Sequence, residues 1–348
     1  MNIHDKDDGV LIDSVVRTNA IIDEIYTNKT LVKEGLGFLA ETEDRLSAFL
    51  HRQKELGQEK PRQDIPPAPT IVEEFERKIG PVNNMLSIEF LEVGLLAARS
   101  VGRLKNRVYD GYGTGFHVGN GIVITNNHVI QSAEDAGEWQ FELNVEDNQI
   151  GTPKNQLSYI LDPERFFLTN KEYDFTLVAV GARKDYPTIE SFGWHVLLDV
   201  KGKILIGQPI NIIQHPKGEN KVVVVHDSHL LYLDDKNLDT EKYCLYSSDT
   251  EEGSSGSPVF NNRWEVIALH HKAIPKTDAN GNYIDENDNL ITNEKDKVYL
   301  ANEGIRVSRL IQAIKNSHFD TPEKALIRDN LINLWNEAGS HPQGLLGK

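Results

Sequence analysis

Residues 253–258 read Gly-Ser-Ser-Gly-Ser-Pro. A serine hydroxyl is almost never ionised at neutral pH, so as a nucleophile it needs a base beside it and donors for the oxyanion it creates. A Gly-x-Ser-Gly turn suits that task, because glycines let backbone N–H groups point at a reacting carbonyl with no Cβ in the way. Ser255 holds the central position. Upstream, residues 124–130 read I-T-N-N-H-V-I and place His128 just beyond an apolar strand, a rigid way to present an imidazole at a cleft. Asp174 opens the strand-like run Y-D-F-T-L-V-A-V, where a carboxylate costs desolvation unless it is paired. Taken singly, each has a plain reading: a polar turn, one surface histidine of 12, a strand-end aspartate. Together they follow in the order His, Asp, Ser, 46 and then 81 residues apart, which is one of the chain orders of a nucleophilic triad.

Such a constellation needs a scaffold that brings three distant segments together. From residue 108 onward the pattern is β. Residues 113–130 alternate around a Gly-Asn-Gly turn at 119–121, a hairpin signal. Further strand-like runs begin at 139 (W-Q-F-E-L-N-V), 175 (F-T-L-V-A-V), 209 (P-I-N-I-I-Q-H), 221 (K-V-V-V-V-H), 257 (S-P-V-F) and 264 (W-E-V-I-A-L-H). Many short strands with Gly, Pro, Asn and Asp turns, and no long helices between them, predict an all-β sandwich or barrel. Before this region, residues 10–56 carry apolar residues at mixed three- and four-residue spacing and predict helices. Four prolines in residues 59–70 predict an extended linker. Residues 71–103 read as helical again, and D-T-P-E at 320–323 predicts a capped C-terminal helix ending near Gly339.

Composition narrows the function. The 348-residue chain has a formal net charge of −16, from 53 acidic and 37 basic residues, which disfavours phosphate backbones as partners. No apolar run approaches the roughly 18 residues that span a bilayer. The N-terminus M-N-I-H-D-K-D-D-G lacks the basic start and apolar stretch of a secretory signal, and a lone cysteine, Cys244, allows no internal disulfide. These features predict a reducing, cytoplasmic setting without membrane or nucleic-acid partners.

The blocks T-N-N-H-V, Y-D-F-T-L and G-S-S-G-S-P-V-F resemble those of the trypsin-like serine peptidases, in their bacterial, disulfide-free form. Within that family the look is that of glutamyl endopeptidases and stress-protease domains, over residues 100–315. The resemblance implies two antiparallel six-stranded β-barrels with the active site between them. It implies Ser255 as nucleophile, His128 as general base and then general acid, and Asp174 as the group that orients the imidazole. The N–H groups of Gly253 and Ser255 would form the oxyanion hole, and peptide bonds would be hydrolysed through an acyl-enzyme with no cofactor. Thr250 and His270 resemble the Thr/His pair that holds a glutamate side chain in glutamyl endopeptidases, although Glu251 and Glu252 would repel one. His271, next along the strand, is expected on the opposite face and makes no metal site with His270. Zymogen activation by a new N-terminus needs a carboxylate just before the nucleophile, and that position holds Ser254.

The expected organisation is a helical regulatory or recruitment domain at 1–58, the linker at 59–70, a helical connector at 71–100, the peptidase domain at 101–315 and a helical extension at 316–348. Control is expected from the N-terminal helices, by covering the cleft or by docking a protein partner. Two rival functions carry different signatures. A catalytically silent scaffold would have no physical reason to keep His128, Asp174 and Ser255 together. An esterase or amide hydrolase usually builds its triad, in another order, on a parallel α/β sheet. Residues 278–289 are rich in oxygen ligands, but they lack the Gly and Glu positions of a calcium-hand loop, and no metal is expected.

Overall fold

The computed structural model describes residues 8–56, 85–233, 242–278, 280–293, 296–339 and 344. The linker expected at 59–70 and the first part of the connector, 71–84, lie outside the described residues.

Two antiparallel seven-stranded sheets form the body. The first contains β1 (Val101–Asn106), β2 (Tyr112–Gly119), β3 (Ile122–Thr125), β4 (Trp139–Leu143), β5 (Leu157–Ile160), β6 (Phe167–Asn170) and β7 (Phe175–Ala179), in the order β5-β4-β1-β2-β3-β7-β6. The second contains β8 (Asn211–Gln214), β9 (Val222–Val224), β10 (Leu230–Leu233), β11 (Tyr243–Tyr246), β12 (Pro258–Phe260), β13 (Val266–Pro275) and β14 (Tyr299–Arg306), in the order β10-β11-β14-β13-β12-β8-β9. The six-stranded expectation is therefore corrected to seven strands per sheet. The extra strand in each case is the outer arm of a short hairpin: β6 folds back on β7, and β9 on β8. Both sheets curl. Leu161 bridges Val180, and the Gly181 N–H donates to the Ile160 carbonyl at 2.8 Å. In the second sheet Pro209 bridges His229, and the Gly207 N–H donates to the Leu230 carbonyl at 2.8 Å.

Apolar alternation explains the layers. Leu104, Val123, Phe141, Leu143 and Val178 fill the first sheet's own interior. Phe116, Val118, Ile124, Phe175 and Leu177 join Phe260, Leu269 and Ile305 of the second sheet in a core shared by both. Helix α4 (Glu89–Arg99) seals this core from one side, where the Trp264 indole N–H donates to the Phe90 carbonyl at 2.7 Å. Helices α6 (Val307–Lys315) and α7 (Pro322–Ala338) follow β14; Thr321 caps α7 and Pro322 opens it, as the sequence predicts. The buried Trp335 of α7 donates to the Val118 carbonyl at 2.7 Å. A four-residue helix, α5 (Ala133–Ala136), sits between β3 and β4.

The N-terminal helices are attached to the second sheet. Ile25 and Val32 of α2 (Ile22–Lys33) lie in the same core as Ile212, Leu230, Leu245 and Val259. Helix α1 (Asp8–Ala20) packs on β13, and α3 (Glu43–Glu55) is pinned by a 2.6 Å ion pair between Arg52 and Glu265. Among the described residues, no helix is long and apolar enough to cross a membrane.

Candidate active site

Register brings the first two site residues together. In the antiparallel pair β3–β7, Thr125 lies opposite Thr176, so the segment leaving β3 and the segment entering β7 emerge at the same edge. His128 sits on the first and Asp174 on the second. The His128 Nδ1–H donates to Asp174 Oδ2 at 2.7 Å, and the His128 backbone N–H donates to Asp174 Oδ1 at 2.8 Å. The Asn126 side chain holds the Asp174 carbonyl at 2.9 Å. Asp174 adopts φ +38°, a left-handed conformation that a non-glycine residue keeps only when its surroundings impose it. Burial alone would push its carboxyl up, but the imidazoles of His128 and His271 outweigh burial and hold it well below the usual carboxylate range. The ionised acceptor fixes the His128 tautomer with its proton on Nδ1, leaving Nε2 as the basic nitrogen.

The turn carrying Ser255 belongs to the second sheet and docks on the first. Thr114 of β2 donates its backbone N–H to the Ser255 carbonyl at 2.9 Å and its hydroxyl to the Gly253 carbonyl at 2.8 Å. Two glycines make this approach possible. Gly256 has φ +86°, and a Cβ there would meet the Thr114 carbonyl oxygen at 2.1 Å and Thr125 Oγ1 at 2.4 Å. Gly253 has φ +88°, and its Cβ would meet the His215 carbonyl oxygen at 2.8 Å. The Ser254 N–H donates to the Glu251 carbonyl at 3.0 Å, and Ser254 Oγ accepts from the Glu251 N–H at 3.1 Å, so Ser254 shapes the turn. Among the described residues, the N–H groups of Gly253 and Ser255 have no protein acceptor. Two unpaired donors flanking a serine, in a turn docked beside a histidine–aspartate pair, have the form of an oxyanion site.

Parts of the chain are similar to known proteins. Residues 113–269, from β2 into the first residues of β13, match the trypsin-like peptidase domain family. The chain carries a trypsin-like peptidase domain. A curated relative, an uncharacterized protein named y4fB from Sinorhizobium fredii, is 34% identical over 264 residues, which are 69% of this chain. The chain spans 39% of that relative's length. Similar solved structures include the active form of the Rv3671c protease from M. tuberculosis, at 14% identity and a TM-score of 0.44, covering 73% of this chain and 98% of that one. Deg5 is similar at 15% identity and a TM-score of 0.43, covering 65% of this chain and 94% of that one.

The peptidase domain places the two candidate specificity residues apart in their bonding. Thr250 donates its hydroxyl to Asn302 Oδ1 at 2.8 Å, whereas His270 Nδ1 meets the Tyr246 hydroxyl at 2.7 Å. Tyr246 and Asn302 are register partners on β11 and β14, so the two candidates lean on one strand pair. Burial pushes the His270 imidazole down to about 3, with the neighbouring His271 and His128 adding to the effect, so it is neutral at ordinary pH.

His271 is a site residue that sequence reasoning did not include. It donates Nδ1–H to Asp174 Oδ2 at 2.6 Å, on the same oxygen that His128 uses. The two rings are 6.1 Å apart, edge to face. His270 and His271 do serve separate neighbours, Tyr246 and Asp174. A bulge assists this: His270 pairs with Gly304 and Lys272 with Glu303, so His271 is the extra residue. The doublet His-His within one strand was the available signal. Its meaning depended on which first-sheet residue the second sheet would meet. The nearest ligand atoms of His128, Asp174 and His271 all lie within 4.8 Å of one another, and the two Nδ1–Oδ2 contacts are hydrogen-bond lengths.

Proposed function

We propose that the protein is an intracellular serine endopeptidase that hydrolyses peptide bonds through an acyl-enzyme. The observation that carries this reading is the conjunction of the His128–Asp174 pair with the two unpaired N–H donors beside Ser255. Ser255 Oγ attacks the scissile carbonyl carbon while His128 Nε2 takes its proton. The carbonyl oxygen, now anionic, is received by the N–H groups of Gly253 and Ser255. The imidazolium is stabilised by the ionised Asp174 and returns its proton to the leaving amine as the C–N bond breaks. Water, deprotonated by the same imidazole, then cleaves the ester and regenerates Ser255.

The substrate pocket in this reading is bounded by Thr250 and His270. With the Tyr246 hydroxyl donating to Nδ1, a neutral His270 carries its proton on Nε2 and offers a hydrogen bond to an acidic side chain rather than a charge. The helices α1–α3 are the regulatory part, docked on the second sheet and offering a surface for a protein partner.

Labelling with a fluorophosphonate probe tests the reading. Wild-type protein reacts at Ser255 and Ser255→Ala does not. Wild-type protein that stays unlabelled would instead support a silent scaffold built on the peptidase fold.

A further inference from the structure

Behind Asp174 lies a second set of polar groups that the hydrolytic mechanism leaves unused. His271 is 1% exposed and faces two carboxylates: Asp174 on its Nδ1 side at 2.6 Å, and Glu303 of β14 on its Nε2 side at 3.6 Å. The Nε2 atom is buried and has no hydrogen-bond partner at that distance. Glu303, also buried, is occupied from the other direction. Ser14 of α1 donates its hydroxyl to Glu303 Oε1 at 2.7 Å, and Arg17 of α1 reaches Oε1 at 3.2 Å and Oε2 at 3.1 Å. Arg17 also lies over the Tyr243 ring, 4.1 Å from its centre, and that ring in turn packs 6.0 Å from His271. On the same side Lys242 stands 5.7 Å from the centre of the Tyr243 ring and pairs with Glu172 at 3.2 Å.

A neutral imidazole has one N–H to give, and its two nitrogens face two acceptors. With Ser14 and Arg17 on Glu303, the carboxylate has its donors and the proton of His271 sits on Nδ1, held by Asp174. With those donors withdrawn, Glu303 is a buried, unpaired charge, and the nearest donor able to satisfy it is His271 Nε2–H. The other tautomer then turns a bare Nδ1 lone pair toward the Asp174 carboxylate, which repels it and loosens the group that orients His128.

We propose that His271 is a positioning residue whose tautomer is set by the docking of helix α1 through Ser14, Arg17 and Glu303, so that the N-terminal helix switches the catalytic carboxylate into place. This rests on the triad reading above and supplies the route by which the N-terminal region acts on it. The docked helix is the activating state.

The experiment uses the full-length chain and measures kcat and KM on an unfolded protein substrate, together with low-field proton NMR of the imidazole N–H groups. Arg17→Gln lowers kcat about tenfold while KM stays within about twofold, because orientation rather than substrate binding is lost. In a Glu303→Gln background the Arg17→Gln change has no further effect, because the carboxamide no longer competes for the imidazole proton and its NH2 group donates to Nε2. Wild-type protein shows two low-field Nδ1–H signals, and Arg17→Gln loses the one from His271. An Arg17→Gln protein with wild-type kcat, or a double variant as slow as Arg17→Gln alone, overturns the proposal. If the wild type neither labels nor turns over, the peptidase reading fails, and the relay is then judged by the NMR signals alone: both retained in Arg17→Gln overturns it.

Discussion

Thr114, on the first sheet, donates its hydroxyl to the Gly253 carbonyl on the second at 2.8 Å, and its backbone N–H holds the Ser255 carbonyl two residues on. This contact sets the direction of the intervening peptides, and so of the unpaired Ser255 N–H. Thr114→Val keeps the shape and the backbone bond but removes the hydroxyl. The expected result is a drop in kcat of about tenfold with little change in KM, since a misaimed donor costs less than the 10²–10³ of a missing one. Steady-state kinetics on a peptide substrate checks it.

Gly253→Ala is expected to be more severe. Its Cβ would enter backbone at 2.8 Å from the His215 oxygen, 3.0 Å from the Gly218 nitrogen and 3.1 Å from the Lys217 nitrogen, at a φ of +88°. Because none of these atoms is the end of a flexible side chain, the turn itself must move. Activity should fall by about 10² or more, with thermal stability lowered by about 1–3 kcal/mol. A variant that keeps wild-type kcat would show that the Gly253 N–H is not an oxyanion donor.

The three serines of the turn separate by role. Ser254→Ala loses the hydrogen bond from the Glu251 N–H and is expected to cost about 1 kcal/mol of stability. Ser257→Ala removes a buried hydroxyl that has no partner and should be close to neutral in stability. Both should still react with a fluorophosphonate, unlike Ser255→Ala. Mass spectrometry of the labelled peptide reads the outcome directly.

Acid should weaken the fold through its buried histidines. Burial pushes His195, His215 and His270 down to about 3 and His117 down to about 4, against an ordinary value of 6.5. As pH falls below 6.5 the unfolded chain takes up protons that the folded chain refuses. Stability is therefore full above 6.5 and declines toward 4, by up to about 1.4 kcal/mol per pH unit for each group. Asp174 adds a loss of the same sign below 3.8, its ordinary value, because its folded form holds the proton off. Urea midpoints from pH 7 to pH 4 should fall steadily. A flat profile would mean that these histidines are open to water.

Gly94 of α4 has no room for a side chain. A Cβ there would lie 2.4 Å from the Trp264 ring, whose indole N–H is already committed to the Phe90 carbonyl. Gly94→Ala should gain helix propensity of about 1 kcal/mol and lose more to the clash, for a net destabilisation of about 1–3 kcal/mol. Chemical denaturation measures the balance, and a stabilised variant would show that α4 slides on Trp264.

The linear chain by itself marked the hairpin at 113–130, the strand-like runs beginning at 139, 175, 209, 221, 257 and 264, the capped helix after Thr321, and the segments of His128, Asp174 and Ser255. Those signals are local: alternation, turn residues and capping residues act within a few positions. Strands β1, β5, β6, β10, β11 and β14 were not singled out. In β10 and β11 the sequences L-L-Y-L and Y-C-L-Y do not alternate, because both faces are largely covered. Seven strands per sheet likewise followed from hairpins folding back at the edges. Only the tertiary structure decided that His271 would share an oxygen with His128, that Glu303 would stand behind it, and that Arg17, 286 residues away, would reach that carboxylate. Those contacts join a helix, two sheets and a bulge, and no periodicity in a linear chain encodes which buried charge will meet which.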